Sequence, residues 1–322
     1  MNNDNLNRNK KMLAIVIPFY RIDFFIETIS SLVNQTNRNF NLYIGDDCSD
    51  YRIDDYLDLN SLPFEVHYTR FSANMGLKNL GRHFSRCVGL AKEEEWVMIL
   101  GDDDYLDENC VQDFYFNFSE IENLEIDVVQ YATVKMNQDG NKVSEKFTND
   151  KLLNASNDFI EKLRGKRGSL SEIIFKKSKL EELDFNLLPM AWMLDWYAVL
   201  KCSNYQTIYN INSSTVYVRY GQHSISGSQS SQSERIKNYA TYLCLKTLLL
   251  EGIEKFDANQ LVYLRWKFEK TYLNHRKSKK IFFGVVKYYM RRFEFSYLML
   301  FLFRVIKSII SNDNTRSFSK PL

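Results

Sequence analysis

The chain has 322 residues, 45% of them hydrophobic, which is enough to bury a large core in one or two domains. Its five cysteines are scattered without C-x-x-C spacing, so we expect reduced thiols and no zinc site. The polar first eleven residues, interpreted as a disordered arm, lack the hydrophobic stretch of a signal peptide, so we expect a cytoplasmic protein.

Strand and helix patterns alternate from the start of the folded chain. Residues 13–19 form a near-continuous apolar run, typical of a central parallel strand, and helical spacing follows over residues 22–33. Further strands are predicted at 40–45, 64–71 and 96–100, with a helix at about 78–91. This order predicts an α/β fold with a mostly parallel sheet flanked by helices, in which ligands bind at the carboxyl ends of the strands.

The strand at residues 96–100 runs through Gly101 into three consecutive carboxylates, Asp102, Asp103 and Asp104. Adjacent anions at the end of a buried strand repel one another unless a cation or strong donors face them. Carboxylate oxygens suit Mg²⁺ or Mn²⁺, which commonly share their coordination sphere with phosphates. The alternative is a solvated acidic loop, or a cap for the helix that follows Asp107.

Two other segments are predicted to reach the same edge. Tyr20 follows the first strand, and Asp46 and Asp47 follow the second. In the segment from Asn74 to Arg82, Gly76 and Gly81 permit close backbone approach, and Lys78 and Arg82 can supply positive charge to a diphosphate. An ordinary turn and a solvated helix face are the alternative for that segment.

Four motifs in this order, VIPFY, IGDDCSD, N-x-G-x(5)-R and ILGDDD, resemble those of the GT-A-fold glycosyltransferases of family 2 over roughly residues 12–225. Members of that family transfer a sugar from a nucleotide-diphosphate donor with inversion. The resemblance therefore implies a GT-A (Rossmann-like) catalytic domain at residues 12–226, with a nucleotide-sugar-binding half at 12–107 and an acceptor half at 108–226.

The resemblance also assigns roles to single residues. The implied nucleotide-sugar-binding residues are Pro18, Tyr20, Asp46, Asp47, Asn74, Gly76, Arg82, Asp102, Asp103 and Arg219. The implied ligands of Mn²⁺ or Mg²⁺ are Asp103, Asp104 and His223, although a loop histidine is more often simply exposed. This chain departs from the family in having Gly101 as the first residue of the metal motif, so the ribose and metal contacts shift toward Asp102.

Asp195 lies in the run MAWMLDWY, an isolated carboxylate among apolar and aromatic side chains. Such surroundings raise proton affinity, as a general base for an acceptor hydroxyl requires. The family's base is usually the Asp of a Glu-Asp pair, and Asp195 matches it with Leu194 in place of Glu. A helix N-cap is the alternative. Upstream, Asn157 and Asp158 are predicted to cap the helix that carries residues 159–164.

A Ser-rich linker is predicted at residues 227–233, and a basic, aromatic, helical region at 234–322. Although the net charge of the whole chain is only +2, residues 261–322 contain 14 Lys and Arg against three Asp and Glu. Basic helices with aromatic residues bind anionic membrane surfaces, which predicts a peripheral location on the inner face of the cell membrane. A packing role on the catalytic domain or a homodimer contact is the alternative.

The preferred function is therefore a metal-dependent glycosyltransferase that moves a sugar from a nucleotide-diphosphate donor to a lipid-linked saccharide in surface polysaccharide synthesis. Asp46 and Asp47 can accept a hydrogen bond from uracil N3, which favours a UDP-sugar over a GDP-sugar, although thymine offers the same group. The rival, suggested by Gly101 and Leu194, is a non-catalytic nucleotide-sugar or polyanion-binding protein. Nucleic acid is not expected as a partner, because the basic region contains no recognised reader motif.

Overall fold

The computed structural model describes residues 11–221, 230–276 and 278–310, which divide into two compact units. The first unit takes residues 11–186 and 194–221, and the second takes residues 187–193, 230–276 and 278–310. Residues 187–193, which the sequence analysis included in the first domain, thus group with the C-terminal helices. In that unit the indole Nε1 of Trp192 donates a hydrogen bond to Thr241 Oγ1 at 3.3 Å.

The first unit is built on one sheet. Its strands are β1 (Leu13–Phe19), β2 (Phe40–Asp46), β3 (Val66–Arg70), β4 (Trp96–Ile99), β5 (Tyr105–Leu106), β6 (Val128–Met136), β7 (Leu152–Asn154), β8 (Ile173–Lys176) and β9 (Thr207–Arg219). They lie in the order β3-β2-β1-β4-β8-β6-β9-β5, and β7 pairs with β9. This is the α/β, GT-A-type architecture that the sequence predicted.

The sheet is parallel only in part. Strands β3, β2, β1 and β4 are mutually parallel, as expected for strands joined by crossover helices. Strand β8 then pairs antiparallel with both β4 and β6, and β9 pairs parallel with β6. The prediction of a mostly parallel sheet thus holds for the N-terminal half, and the C-terminal half is mixed.

Six helices accompany the sheet in the described part of the first unit. They are α1 (Phe25–Val33), α2 (Gly76–Val88), α3 (Cys110–Asn123), α4 (Ala155–Arg164), α5 (Lys177–Glu181) and α6 (Leu194–Cys202). Helix α4 begins earlier than predicted, because the Asn154 side chain accepts a hydrogen bond from the Asn157 backbone N–H at its N-cap. The predicted caps Asn157 and Asp158 therefore lie inside the helix.

The core explains why the strand runs are so apolar. All seven residues of β1 and all four of β4 are buried. Trp96 is fully buried and its ring contacts Phe114 of α3, with the centroids 5.7 Å apart. Burying such aromatic side chains stabilises the fold by about 1.5–3 kcal/mol each. This rigid core fixes the strand ends at which the candidate site lies.

The second unit contains the helices α7 (Ser231–Glu251), α8 (Ala258–Asn274), α9 (Lys279–Arg291) and α10 (Phe295–Ile310). Helix α7 begins within the predicted linker, because Ser230 caps it by accepting a hydrogen bond from the Ser233 backbone N–H. Within residues 11–221, 230–276 and 278–310, no helix is both long enough and apolar enough to cross a bilayer.

Candidate functional site

Three strand ends meet at one edge of the first unit. Phe19, the last residue of β1, pairs with Asp46, and β4 runs beside β1 toward the cluster formed by Asp102, Asp103 and Asp104. Pro18 is buried within β1, and Tyr20 follows it half-buried. We call Asp102–Asp104 the acidic cluster. The structure thus brings together the residues that the sequence analysis expected to converge.

The Asp102 carboxylate holds the loop that follows β1. Its Oδ2 accepts hydrogen bonds from the backbone N–H groups of Tyr20 and Arg21, each at 2.8 Å. Burial and then the charge of Asp103 raise the pKa of Asp102 to about 7, although the two amide donors oppose the rise. Asp102 therefore positions Tyr20 at the edge of the sheet.

Asp104 is buried, and both of its carboxylate oxygens are engaged. Oδ2 accepts a hydrogen bond from the Ser171 hydroxyl at 2.5 Å, and Oδ1 accepts one from the Arg219 backbone N–H at 2.7 Å. Burial and then the charge of Asp103 raise the pKa of Asp104 to about 8. Asp104 thus ties the acidic cluster to β9 and to the turn before β8.

Asp103 is the member of the cluster best placed to bind a ligand. Its carboxylate accepts no hydrogen bond from another residue in the described part of the chain. Burial raises the pKa of Asp103, and the nearby Arg219 guanidinium opposes that rise. Asp103 therefore has carboxylate oxygens left for an external partner.

Two carboxylate oxygens of the acidic cluster lie close together beside Gly101. A Cβ atom on Gly101 would lie 3.0 Å from Asp103 Oδ1 and 3.1 Å from Asp104 Oδ2, so two carboxylate oxygens converge on one small volume. Among the described residues, no group of three or more His, Cys, Asp or Glu is arranged to hold a metal ion. The donor set fits Mg²⁺ or Mn²⁺ that takes its other ligands from water and phosphate. His223 lies outside the described residues.

Asp46 and Asp47 are buried and bound by protein donors. Asp46 Oδ2 accepts hydrogen bonds from the Tyr68 hydroxyl at 2.6 Å and from Arg70 Nη1 at 3.1 Å. Asp47 accepts hydrogen bonds from the backbone N–H of Met75 and Gly76 at the start of α2, at 2.8 and 2.7 Å. These carboxylates shape the loops around the expected base pocket, and direct contact with the base stays a prediction.

The predicted phosphate segment also has a structural role. A Cβ atom on Gly76 would lie 2.7 Å from Asp47 Oδ2, so glycine is needed for that carboxylate to approach the helix. The Asn74 side chain accepts a hydrogen bond from the Leu77 N–H at 3.1 Å. Arg82 is exposed, and its side chain has no ion-pair partner within the described ranges. Of this set, Arg82 is therefore the residue free to meet a diphosphate.

Arg219, predicted to contact the donor, braces the acidic cluster in this structure. Its guanidinium donates to the Asp103 carbonyl oxygen at 3.1 Å, pairs with Glu27 Oε2 at 2.5 Å and lies 3.8 Å from the centre of the Phe24 ring. These partners are up to 192 residues away in sequence, so no local pattern could indicate them. In this conformation Arg219 positions Asp103 and Asp104 and has little capacity left for phosphate.

Asp195 is the second residue of α6, inside the first turn and not at the N-cap. Burial raises the pKa of Asp195, and the Lys162 ammonium opposes the rise. Lys162 is itself buried and pairs with Asp158 Oδ2 at 2.9 Å. Burial also raises the pKa of Glu172 to about 8, again opposed by Lys162. Asp195 therefore belongs to a buried network of charges.

Two basic residues of the site were missed by sequence reasoning. Arg86 forms an ion pair with Asp47 and lies over the Phe71 ring at 3.8 Å. Lys162 holds the network around Asp195. The spacing of Asp158 and Lys162, four residues apart on one helix, was a usable sequence signal for that pair. Arg86 is 39 residues from Asp47, and its partner was not predictable.

The family model for glycosyl transferase family 2 matches residues 14–183, more than half of the chain. The chain belongs to this family. The match contains β1 from its second residue, β2 to β4, the acidic cluster, Lys162 and Glu172, and it ends before Asp195 and Arg219. A family 2 assignment therefore covers most of the candidate site but not the predicted base.

Single proteins and solved structures resemble this family 2 protein only over part of the chain or at low sequence identity. An uncharacterized glycosyltransferase of Haemophilus influenzae is 33% identical over 102 residues, which cover 31% of this chain and about a third, 32%, of that protein. S. aureus TarS 1–349 in complex with UDP-GlcNAc superposes with a TM-score of 0.62 at 16% identity, covering 86% of this chain and 79% of that one. The UDP complex of TarS 1–349 gives a TM-score of 0.53 at 14% identity, covering 94% and 92%. These similarities establish the GT-A fold.

Proposed function

We propose that this family 2 protein transfers a sugar from a nucleotide-diphosphate donor, preferably a UDP-sugar, to a saccharide acceptor with inversion. The observation that carries the proposal is the convergence of three parallel strand ends on Tyr20, Asp46–Asp47 and the acidic cluster. Nucleotides bind at such edges in open α/β sheets. The TarS structures of similar fold contain UDP-GlcNAc or UDP, which supports the choice of donor.

We further propose that Asp103, with Asp104 beside it, holds Mn²⁺ or Mg²⁺ at the space next to Gly101. Such an ion, when bound, offsets the negative charge of a departing nucleotide diphosphate. The residues of the chain prepare its site: Asp102 fixes the loop after β1, and Arg219 braces the acidic cluster through the Asp103 carbonyl. Arg82 supplies an exposed positive charge for the diphosphate.

Asp195 is the proposed general base. In a single displacement with inversion, one carboxylate removes the proton of the acceptor hydroxyl as that oxygen attacks the sugar. Buried surroundings raise the pKa of Asp195, which favours this role, and the Lys162 ammonium opposes that rise. Glu172, which also lies near Lys162, is the alternative base.

The acceptor is proposed to be a lipid-linked saccharide, used for capsule or O-antigen synthesis at the inner face of the cell membrane. The support is the cationic C-terminal part of the chain, where 14 Lys and Arg face three Asp and Glu over residues 261–322. Anionic leaflets attract such segments by about 1 kcal/mol per cation near the surface. A non-catalytic nucleotide-sugar binding protein remains the rival function, favoured by Gly101 and Leu194.

A thermal-shift panel tests the donor. The full chain is heated with UDP, GDP, dTDP and their sugars, each with Mn²⁺ and with EDTA, and Mn²⁺ alone is the control. A ligand at a hundred times its Kd stabilises the fold by about 2.7 kcal/mol, so a UDP-sugar with Mn²⁺ should raise Tm by several degrees. If none of the nucleotides shifts Tm beyond Mn²⁺ alone, the proposed donor site is wrong.

A further inference from the structure

Helix α10 is apolar on two opposite faces. Leu298, Phe301, Val305 and Ser308 form its buried face. Three- and four-residue steps place a second stripe on the other face, and all its members are at least half exposed: Phe295, Met299, Phe303, Ile306 and Ile310. A helix that is hydrophobic all round is ordinarily covered on both sides. Packing within the protein therefore accounts for the buried face of α10. The exposed face has no partner among the described residues.

Helix α9 also has an exposed face, and this face carries cations beside its apolar residues. Lys279, Phe283, Lys287 and Met290 follow one another at steps of three or four residues, and all four are exposed. Across residues 278–310 there are seven Lys and Arg and a single acid, Glu294, which pairs with Arg265 and Arg292. We call the exposed apolar residues of the α9 and α10 stripes and of the turn between them the apolar face; they are Phe283, Met290, Phe293, Phe295, Met299, Phe303, Ile306 and Ile310.

The turn between α9 and α10 carries an independent signal at Phe293. The Phe293 N–H donates to the Met290 carbonyl oxygen and the Glu294 N–H to the Tyr289 carbonyl oxygen, which is the Schellman pattern at a helix C-terminus. Phe293 occupies the position in this pattern that glycine favours, with φ at 56°. Its ring is also 79% exposed. A bulky aromatic side chain is thus held in solvent at a strained position, which indicates a role outside the fold.

We propose that the apolar face inserts into an anionic lipid bilayer, with Phe293 and Phe303 entering the boundary between headgroups and acyl chains. Amphipathic helices with aromatic and aliphatic residues beside Lys and Arg bind membranes in this way. A second copy of the chain fits less well, because a two-fold contact would bring the same cationic surface against itself. This inference extends the proposed membrane location and does not depend on sugar transfer.

Vesicle sedimentation of the full chain tests the inference. Phe293→Gly removes the exposed ring and introduces the residue that the turn prefers, so the folded state should be as stable as before or more so. Because this variant loses the apolar area of one inserted phenylalanine ring, it should bind phosphatidylglycerol–phosphatidylcholine vesicles at least about tenfold more weakly. Phe303→Gln, which keeps a good helix former, should weaken binding similarly.

Phe116→Ala is the matched control, because Phe116 is equally exposed, at 78%, but lies on α3 in the first unit. It should bind vesicles like the unaltered chain, and phosphatidylcholine alone should bind all variants weakly. The inference is overturned if the unaltered chain stays in solution, or if Phe293→Gly and Phe303→Gln both sediment like it. It is also overturned if the chain is a dimer that these two variants dissociate. Nucleotide binding, measured on the same samples, reports on the donor site separately.

Discussion

At the scale of single residues, the three carboxylates of the acidic cluster have different neighbours and therefore different tasks. Asp102 accepts hydrogen bonds from the N–H groups of Tyr20 and Arg21, and Asp104 accepts them from Ser171 and from the Arg219 N–H. Asp103 keeps its oxygens for an external partner. Hydrogen-bond donors of the protein thus face Asp102 and Asp104, and a cation is expected at Asp103.

The residue-scale prediction concerns Asp195→Asn. A general base acts on the acceptor hydroxyl mainly in the transition state, so its loss should lower kcat by about 10²–10⁴-fold and leave donor Kd unchanged. The measurement is steady-state sugar transfer beside a donor titration of the same preparation. Glu172→Gln is the comparison, since Glu172 lies near the same Lys162. Transfer at close to the original rate by folded Asp195→Asn would shift the assignment to Glu172.

The sequence indicated where the candidate site residues lie better than it indicated their contacts. The carboxylates after β2 and β4 were expected at one edge because parallel strands end together, and the structure places them there. The sequence could not show that Arg219 would reach Glu27 or that Arg86 would reach Asp47. Those ion pairs depend on how elements that are far apart in the sequence pack together. For the same reason Asp158, predicted as a cap, pairs with Lys162 and Lys166 inside the protein.

At the scale of elements, continuous apolar runs predicted β1, β2 and β4 within one residue or so of their bounds. The partners of β8 and β9 and the direction of each pairing were not predictable, since the sequence of a strand carries no record of its partner or direction. The segment that follows the turn at Asp139–Gly140 pairs back only through isolated bridges, Met136 with Lys142 and Thr133 with Phe147. Its polar residues have no apolar face to bury and so do not extend the pairing.

The element-scale prediction concerns the packing of α2. A Cβ atom on Gly81 would lie 1.9 Å from the Phe185 carbonyl oxygen, so Gly81→Ala should force the helix away and cost about 1–3 kcal/mol of unfolding free energy. Gly89→Ala is the control, because its Cβ atom would make ordinary contacts at 3.6 Å. It should be neutral or slightly stabilising. Denaturant unfolding of both variants gives the comparison, and equal midpoints would contradict the close packing.

At the scale of the whole molecule, the two units differ in charge as well as in architecture. The acidic cluster and its neighbours belong to the first unit, and the excess of cations lies in the helices of the second. Composition alone revealed this asymmetry. It could not reveal that one face of α10 is buried while the other is exposed, since both faces are equally apolar in sequence.

Calorimetric titration of UDP into the full chain, with Mn²⁺ or with EDTA, tests the central claim most directly. With Mn²⁺ we expect saturable binding that weakens at least ~10-fold in EDTA and in Asp103→Asn, because that substitution removes an anionic metal ligand. Asp54→Asn, which removes an exposed carboxylate in the same unit, should bind like the unaltered chain. Absence of UDP binding, or one Kd shared by the unaltered chain and Asp103→Asn under both conditions, would contradict the claim.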